Sequence, residues 1–451
     1  MTHTSVCTID SELSSKIEKR TARIGLIGLG YVGLPLVLLF SEQRFRVTGF
    51  DIDDKKVAVL KQGGSYIYRI PSSDIQGAMS RGFRPTTDYS LIEEMDAVII
   101  CVPTPLDEHM EPDMSYIVST VEAIAPYLRP GHLIILESTT YPGTTEEVVV
   151  PILEKKNRLG LKAERQGQSG HNTFFVAFSP EREDPGNETV ARCDIPKVIG
   201  GFSPTATQLA AELYGTIFNR TIPVSSPAVA EMTKLLENIY RCVNIALVNE
   251  LKLLCLRMGL DIWEVIDAAS TKPFGFHPFY PGPGLGGHCI PIDPFYLSWK
   301  AKEWDFQTRF IELAGEINAY MPYHVVSSMA SALNRRRKVL NGSRVLVLGV
   351  AYKKDIDDLR ESPALTIIEL LQKEGADVSY NDPYIPFIGR GRKYDLRMKS
   401  SDLERLGDYD CVLIVTNHSC YDYPKILREA QLVVDTRNAT KGITADNLLR
   451  C

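Results

Sequence analysis

What the 451-residue chain lacks narrows its class first. It has no basic excess: 50 Lys and Arg stand against 56 Asp and Glu, and a net charge of −6 gives nucleic acid no general electrostatic reason to bind. The densest basic run is Arg335-Arg336-Arg337-Lys338. No apolar run reaches the roughly 20 residues a bilayer requires. The strongest, Ile24 to Phe40, is broken by glycines at 25, 28, 30 and 33 and by Pro35, so no membrane partner is expected. The nine cysteines are odd in number and form no C-x-x-C pair, which argues against a disulfide framework or a zinc cluster. His277, His288 and His324 show no H-E-x-x-H spacing; they read as structural hydrogen-bonders, and no metal is expected. The first twenty residues mix acidic and basic side chains without the apolar core of a secretory signal, so a cytoplasmic location is expected. That segment, 1–20, is either a tail or a short helix.

What is present is ordinary globular material, 44% hydrophobic and 24% charged, long enough for two to four domains. From Arg23 the pattern runs strand (IGLIGLG), helix (YVGLPLVLLFSEQ), strand (RVTGFDID), and DAVIICVPTP and HLIILESTT continue the alternation around a crossover helix over Met114 to Leu128. Apolar strands alternating with helices predict a parallel sheet covered on both faces. Lys156 to Asn172 reads as a surface loop before the strand FFVAFS. From Ala228, just after Ser226-Pro227, about thirty residues without Gly or Pro are apolar at helical spacing and nearly apolar all round in the middle. They predict a long helix buried in the protein or against a partner subunit, hence a homodimer. From Ser343, four strand-like runs (RVLVLGVAY, ADVSYNDPY, YDCVLIVT, LVVDTRN) predict a second, smaller α/β domain. The expected organisation is a 21–222 Rossmann domain, a 223–334 central helical domain and a 335–451 Rossmann-like domain.

Four motifs carry chemistry. Gly28-Leu29-Gly30-Tyr31-Val32-Gly33 lies between a strand and a helix, with Asp51 closing the next strand. The glycines let the backbone approach a pyrophosphate at a helix N-terminus, and the carboxylate accepts ribose hydroxyls. An acid at 51 disfavours a 2′-phosphate and so favours NAD over NADP, although Lys55 and Lys56 stand nearby. In Gly284-Leu285-Gly286-Gly287-His288-Cys289, followed by Asp293, Cys289 is either a nucleophile in open backbone or a small buried hydrophobe. Glu231, Lys234 and Asn238 share one helix face, as a solvated stripe or as buried groups that need a ligand. In Phe178-Ser179-Pro180-Glu181, a strand end delivers Glu181, an acid or base or a surface charge, to the sheet edge where ligands bind.

Together with CVPTP at 101–105, STTYPGT at 138–144, KLLEN at 234–238, GGHCIPID at 286–293 and YKKDIDDLRESP at 352–363, these residues resemble the nucleotide-sugar dehydrogenase family, of the UDP-glucose/UDP-N-acetylmannosamine type. The resemblance runs from about Ile24 to Arg437. It implies an N-terminal Rossmann domain, a central helical dimerisation domain with a long helix, and a C-terminal Rossmann-like domain that helps hold UDP. It also implies NAD-dependent oxidation of a sugar C6 alcohol to a carboxylate with two NAD, for surface-polysaccharide precursors.

By resemblance, Cys289 is the nucleophile that traps an aldehyde as a thiohemiacetal and then carries a thioester. Lys234 and Asn238 stabilise oxyanions, Asp293 and Glu181 handle protons and water, and Thr140 is the sixth catalytic residue. The cofactor set implied is Gly28, Gly30, Tyr31, Val32, Gly33, Asp51, Lys56, Pro103, Thr104, Thr140 and Arg360. The substrate set is Glu181, Lys234, Asn238, Tyr280, Gly284, Lys353 and Arg437. The animal UDP-glucose enzymes carry a second Glu four residues beyond the SPE glutamate, where this chain has Pro185. SPEREDPGN and HPFYPGPGLGGHCIPIDPFYLSWK look most like the bacterial branch acting on UDP-N-acetylglucosamine, which is the substrate expected first. UDP-N-acetylmannosamine, UDP-glucose and UDP-N-acetylgalactosamine are the alternatives. A single-step dehydrogenase of the 6-phosphogluconate type would leave the thiol and the C-terminal sheet unexplained. An inactive NAD and UDP-sugar sensor would bind without forming NADH.

Overall fold

The computed structural model describes residues 9–67, 69–107, 109–166, 170–183, 189–287, 290–391 and 394–451. The chain divides into two compact units, Met1–Glu237 with Trp299–Glu303, and Asn238–Ser298 with Trp304–Cys451. The first unit is built on a nine-stranded sheet. Its strands are β1 (Arg23–Ile27), β2 (Arg46–Phe50), β3 (Arg84–Thr86), β4 (Ala97–Ile100), β5 (Leu133–Leu136), β6 (Lys162–Ala163), β7 (Thr173–Phe178), β8 (Lys197–Gly201) and β9 (Thr221–Val224). The order is β3-β2-β1-β4-β5-β7-β8-β9, with β6 beside β7. Strands β4, β5 and β7 are buried along their whole length, as a sheet with both faces covered requires. All pairings are parallel except β7 with β8, which run antiparallel in the register Ala177↔Gly201 and Phe178↔Gly200. β8 and its parallel neighbour β9 therefore point against the rest of the sheet.

Two expectations are corrected in this unit. The segment 156–172 contains the two-residue strand β6, whose register Lys162↔Thr173 extends the sheet where its Gly and polar content had suggested only a loop. Ile9–Glu18 forms a helix that buries Leu13 and Ile17 in the same core as β1 and the helix Pro204–Tyr214, so the helical alternative holds for the described part of segment 1–20.

The second unit holds a parallel five-stranded sheet of β10 (Arg344–Leu348), β11 (Asp377–Asn381), β14 (Cys411–Ile414), β15 (Val433–Asp435) and β16 (Leu448–Arg450), in the order β11-β10-β14-β15-β16. An antiparallel pair, β12 (Phe387–Arg390) and β13 (Asp395–Lys399), forms its own ladder, joined to β11 by the isolated bridge Tyr380↔Ser400. The four expected strands are present. The fifth strand and the hairpin escape the apolar-run criterion because the burial of β13 alternates and β16 is only half-buried.

Both units share the helix Pro227–Met258, 32 residues long. It is not buried all round: Leu236, Tyr240, Leu247, Leu251, Leu254 and Met258 stay exposed at spacings of three, four and seven, an apolar stripe along one face. Among the described residues no helix is long and apolar enough to cross a membrane. No group of three or more His, Cys, Asp or Glu among them is placed to hold a metal ion.

Candidate active site

In the first unit, β1 ends at Ile27 and the chain turns at Gly28, with φ of +89°, into the helix Gly33–Glu42. A Cβ at Gly28 would collide with the Cys101 carbonyl, and one at Gly33 with the Gly28 carbonyl, so both positions are confined to glycine. Among the described residues nothing lies within 4 Å of where a Cβ of Gly30 would stand, and Val32 gives the helix no side-chain cap. Open backbone thus leads to uncapped N–H groups, which is what a pyrophosphate requires. Asp51 is buried after β2; its Oδ2 accepts the Leu29 N–H at 2.9 Å and its Oδ1 the Asp53 N–H at 3.0 Å. Lys56 Nζ stands 3.7 Å from Asp51 Oδ2. Tyr31 and Pro103 are exposed and Thr104 is buried. Thr140 is buried, its hydroxyl 2.7 Å from that of Thr144. These residues fit NAD, with backbone for the phosphates and a fixed carboxylate for the ribose.

Beyond β7 lies a cluster of buried ionisable groups. Glu181 accepts the N–H groups of Arg182 at 2.9 Å and Glu183 at 2.8 Å. Lys197, the first residue of β8, places Nζ 3.4 Å from Glu181 Oε2 and 3.0 Å from Glu137 Oε1, and the Tyr214 hydroxyl donates to Glu137. Burial works against ionisation of Glu181, but Lys197, Arg192, the Glu183 N–H and Lys234 outweigh it and hold its carboxyl below the usual range. Glu137 goes the other way: burial pushes its carboxyl up despite Lys197. Lys234 is itself buried on the long helix. Neither Lys197 nor Glu137 stood out in the sequence; the available signal was a charged residue inside otherwise apolar strand runs, PKVIG and LIILES.

Glu231, grouped with Lys234 and Asn238 by spacing, has a different task. Its carboxylate accepts the Gly143 N–H at 2.6 Å and the Thr145 N–H and hydroxyl at 3.0 and 2.7 Å. It therefore fixes the STTYPGT turn, and burial raises its pKa to about 7.

In the second unit Asn238 and Asp293 meet: the Asn238 amide donates to Asp293 Oδ2 at 2.5 Å while its carbonyl accepts from Arg241 at 3.2 Å. Asp293 opens the helix Asp293–Ala301, a favourable place for a carboxylate. Between the long helix and this one runs the glycine loop. Gly287 has φ of +87° and donates its N–H to the Arg360 carbonyl at 2.8 Å, and a Cβ there would strike the Tyr352 ring. Gly284 packs against Pro363, so the GLGG segment is moulded onto the 352–363 stretch. His288 and Cys289 lie outside the described residues, as does Pro185.

The remaining implied residues fall in the same unit. The Arg360 guanidinium is held by Asp358 through bonds of 2.7 to 3.1 Å. Tyr280 stacks on Trp263 with ring centroids 5.6 Å apart and donates to Asp267 at 3.2 Å. Lys353 is half-buried in the loop after β10. Arg437 donates to the Val415 carbonyl at 3.1 Å, and its guanidinium, drawn down to about 10 by burial, sits where any Cβ on Gly282 would intrude.

Known proteins match along this whole arrangement. Residues 22–218, 228–320 and 346–442 match the NAD binding, central and UDP binding domains of the UDP-glucose/GDP-mannose dehydrogenase family. The chain is 36% identical over 398 residues to the UDP-N-acetyl-D-glucosamine 6-dehydrogenase of Pseudomonas aeruginosa, covering 88% of this chain and 90% of that one. It is 37% identical over 404 residues to the UDP-N-acetyl-D-mannosamine dehydrogenase of Escherichia coli (strain K12), covering 88% and 94%. Among solved structures it matches a UDP-D-ManNAc dehydrogenase from Pyrococcus horikoshii with a TM-score of 0.83 at 32% identity, over 94% of this chain and 97% of that one. The chain belongs to the UDP-glucose/GDP-mannose dehydrogenase family, and is an NAD-dependent oxidoreductase of that family.

Proposed function

We propose that the protein oxidises the C6 hydroxymethyl group of UDP-N-acetylglucosamine to a carboxylate, taking four electrons in two steps, and works as a homodimer in the cytoplasm. The observation that carries the chemistry is the bonded Asn238–Asp293 pair at 2.5 Å, with Asp293 four residues after Cys289 in the sequence. Of the two amide hydrogens of Asn238, one is committed to Asp293, and the carbonyl is held by Arg241, so the amide is oriented before substrate arrives. NAD, when bound on the Gly28 turn, supplies the electron acceptor for each oxidation. The Cys289 thiol adds to the C6 aldehyde to give a thiohemiacetal, and the second oxidation leaves a thioester. Water then cleaves the C–S bond, releasing the acid and returning the thiol. Lys234, an ammonium in a buried setting, faces the negative charge that develops on the C6 oxygen, and Asn238 donates to the same oxygen. Glu181 and Asp293 accept the protons lost from the alcohol and the attacking water. Thr140 lines the cofactor side, while Tyr280, Gly284, Lys353 and Arg437 hold the UDP-sugar and Arg360 supports the cofactor.

The relatives named UDP-N-acetyl-D-glucosamine 6-dehydrogenase, from Pseudomonas aeruginosa and Salmonella typhi, support the substrate choice at 36% and 33% identity. The Escherichia coli relative, at 37%, makes UDP-N-acetylmannosamine the second reading. The test counts NADH formed per limiting UDP-sugar across a panel of both sugars, UDP-glucose and UDP-N-acetylgalactosamine. Two NADH with UDP-N-acetylglucosamine and little rate with the others is the expected result. Two NADH with another sugar alone would overturn the substrate, and one NADH per sugar would overturn the thioester route.

A further inference from the structure

Nothing in the roles assigned so far employs Lys197 or Glu137, yet among the described residues of the first unit they form the least solvated ion pair, their side chains 3% and 0% exposed. An ion pair buried so completely is a poor source of stability, because desolvation cancels most of the attraction. The geometry asks for a different reason. One ammonium stands between two carboxylates, 3.0 Å from Glu137 and 3.4 Å from Glu181, and only Glu181, 15% exposed, opens toward solvent. The Tyr214 hydroxyl donates to the same Glu137 oxygen that Lys197 approaches, and among the described residues the second Glu137 oxygen has no hydrogen-bond partner. The lysine, carried on a strand rather than a loop, is clamped further by the rings of Tyr214 and Phe218 at 5.1 and 5.3 Å.

We infer that Lys197, backed by Glu137, is a positioning residue that fixes Glu181 in place and in its proton-accepting form for the oxidation. This rests on the function proposed above. The groups facing Glu181 come from the elements packed around it: Lys197 from β8, Arg192 from the turn before it, Lys234 from the long helix, Glu137 from just past the end of β5 and Cys101 from just past the end of β4. Tyr214 adds its hydroxyl through Glu137. The three cations favour the carboxylate and Glu137 opposes it. Burial acts against the charge of Lys197, and the two carboxylates more than restore it, raising its pKa above the ordinary value. Lys197 is thus a permanent cation, and Glu137 sets how much of its field is left for Glu181.

The test is the pH dependence of kcat/KM for NADH formation in the full-length enzyme, for wild type, Lys197→Met, Glu137→Gln and Glu181→Gln. Glu181→Gln should erase the acid limb and so identify it. Lys197→Met should move that limb upward by about one pH unit or more, and lower kcat at neutral pH while KM for both substrates stays within about threefold. Glu137→Gln should move it downward, because a competing negative charge is gone. Should Lys197→Met fail to fold, Glu137→Gln decides alone, since glutamine retains an acceptor for both Tyr214 and Lys197. Folded variants whose acid limb coincides with that of wild type, differing only in melting temperature, would overturn the inference. Absence of NADH from the wild type would instead defeat the function on which it rests.

Discussion

At the scale of single residues, burial separates side chains that spacing alone grouped together. Glu231, Lys234 and Asn238 lie on one helical face, but Glu231 is spent on the 143–145 turn. Glu231→Ala should cost about 3 kcal/mol in urea unfolding, since the donors of Gly143 and Thr145 are left unpaired. The proton balance adds a signature. With a folded pKa of about 7 against 4.5 ordinarily, this group's contribution is fully present below pH 4.5 and is lost as pH rises toward 7. The variant should lack that slope. Lys234→Met should lose about 100- to 1000-fold in kcat, the effect of removing one donor to a developing oxyanion, with folding monitored by circular dichroism. The glycine turn at 28–33 and Asp51 were legible in the sequence because backbone geometry dictates those residue types locally. Lys197 and Glu137 were not, because their meaning arises only from pairing across β5, β7 and β8.

At the scale of elements, hydrophobic periodicity identified β1, β2, β4, β5 and β7 of the first sheet, β10, β11, β14 and β15 of the second, and the long helix. It overstated the burial of that helix, since a run apolar on most sides does not say which side has a partner within the chain. The stripe of Leu236, Tyr240, Leu247, Leu251, Leu254 and Met258 is large for exposed apolar surface. A second copy of the chain is the proposed cover. Replacing Leu247, Leu251 and Leu254 together by Glu should convert a dimer into monomers in sedimentation velocity, with the secondary structure retained. A wild type that already sediments as a monomer would refute the dimer. The strands β3, β6 and β16 were missed for a common reason, that two or three residues are too few to show a period, and β8 and β9 because Gly200-Gly201 and Pro223 interrupt their short apolar runs.

At the scale of the whole molecule, each unit carries a histidine kept neutral by its surroundings. Burial, helped by the neighbouring Arg129, lowers the pKa of His132 to about 3; burial, helped by Lys252, lowers that of His324 to about 4. Folded values below the ordinary 6.5 mean that the unfolded chain binds more protons under that pH. The stabilising contribution is complete above 6.5 and is lost as pH falls toward 4 and then 3. Melting temperature should therefore decline below pH 6.5, and His132→Gln should flatten the part of that decline that belongs to the first unit, as followed by calorimetry from pH 7.5 to 5. The three-part organisation was legible because each part has its own texture: parallel strands, a long helix, parallel strands again.

The reversal of β8 also bears on how mutations in this region would be tolerated. The Ala177↔Gly201 and Phe178↔Gly200 pairs bring the start of β8 alongside the residues that follow β7, where Lys197 Nζ lies 3.4 Å from Glu181 Oε2. A slip of one residue would turn the lysine to the opposite face of the sheet. A single deletion within 197–201 would shift this frame. The connection itself carries Glu181 and Arg192, so the proton chemistry at this edge is tied both to those loop residues and to the reading frame of the one short strand that delivers Lys197.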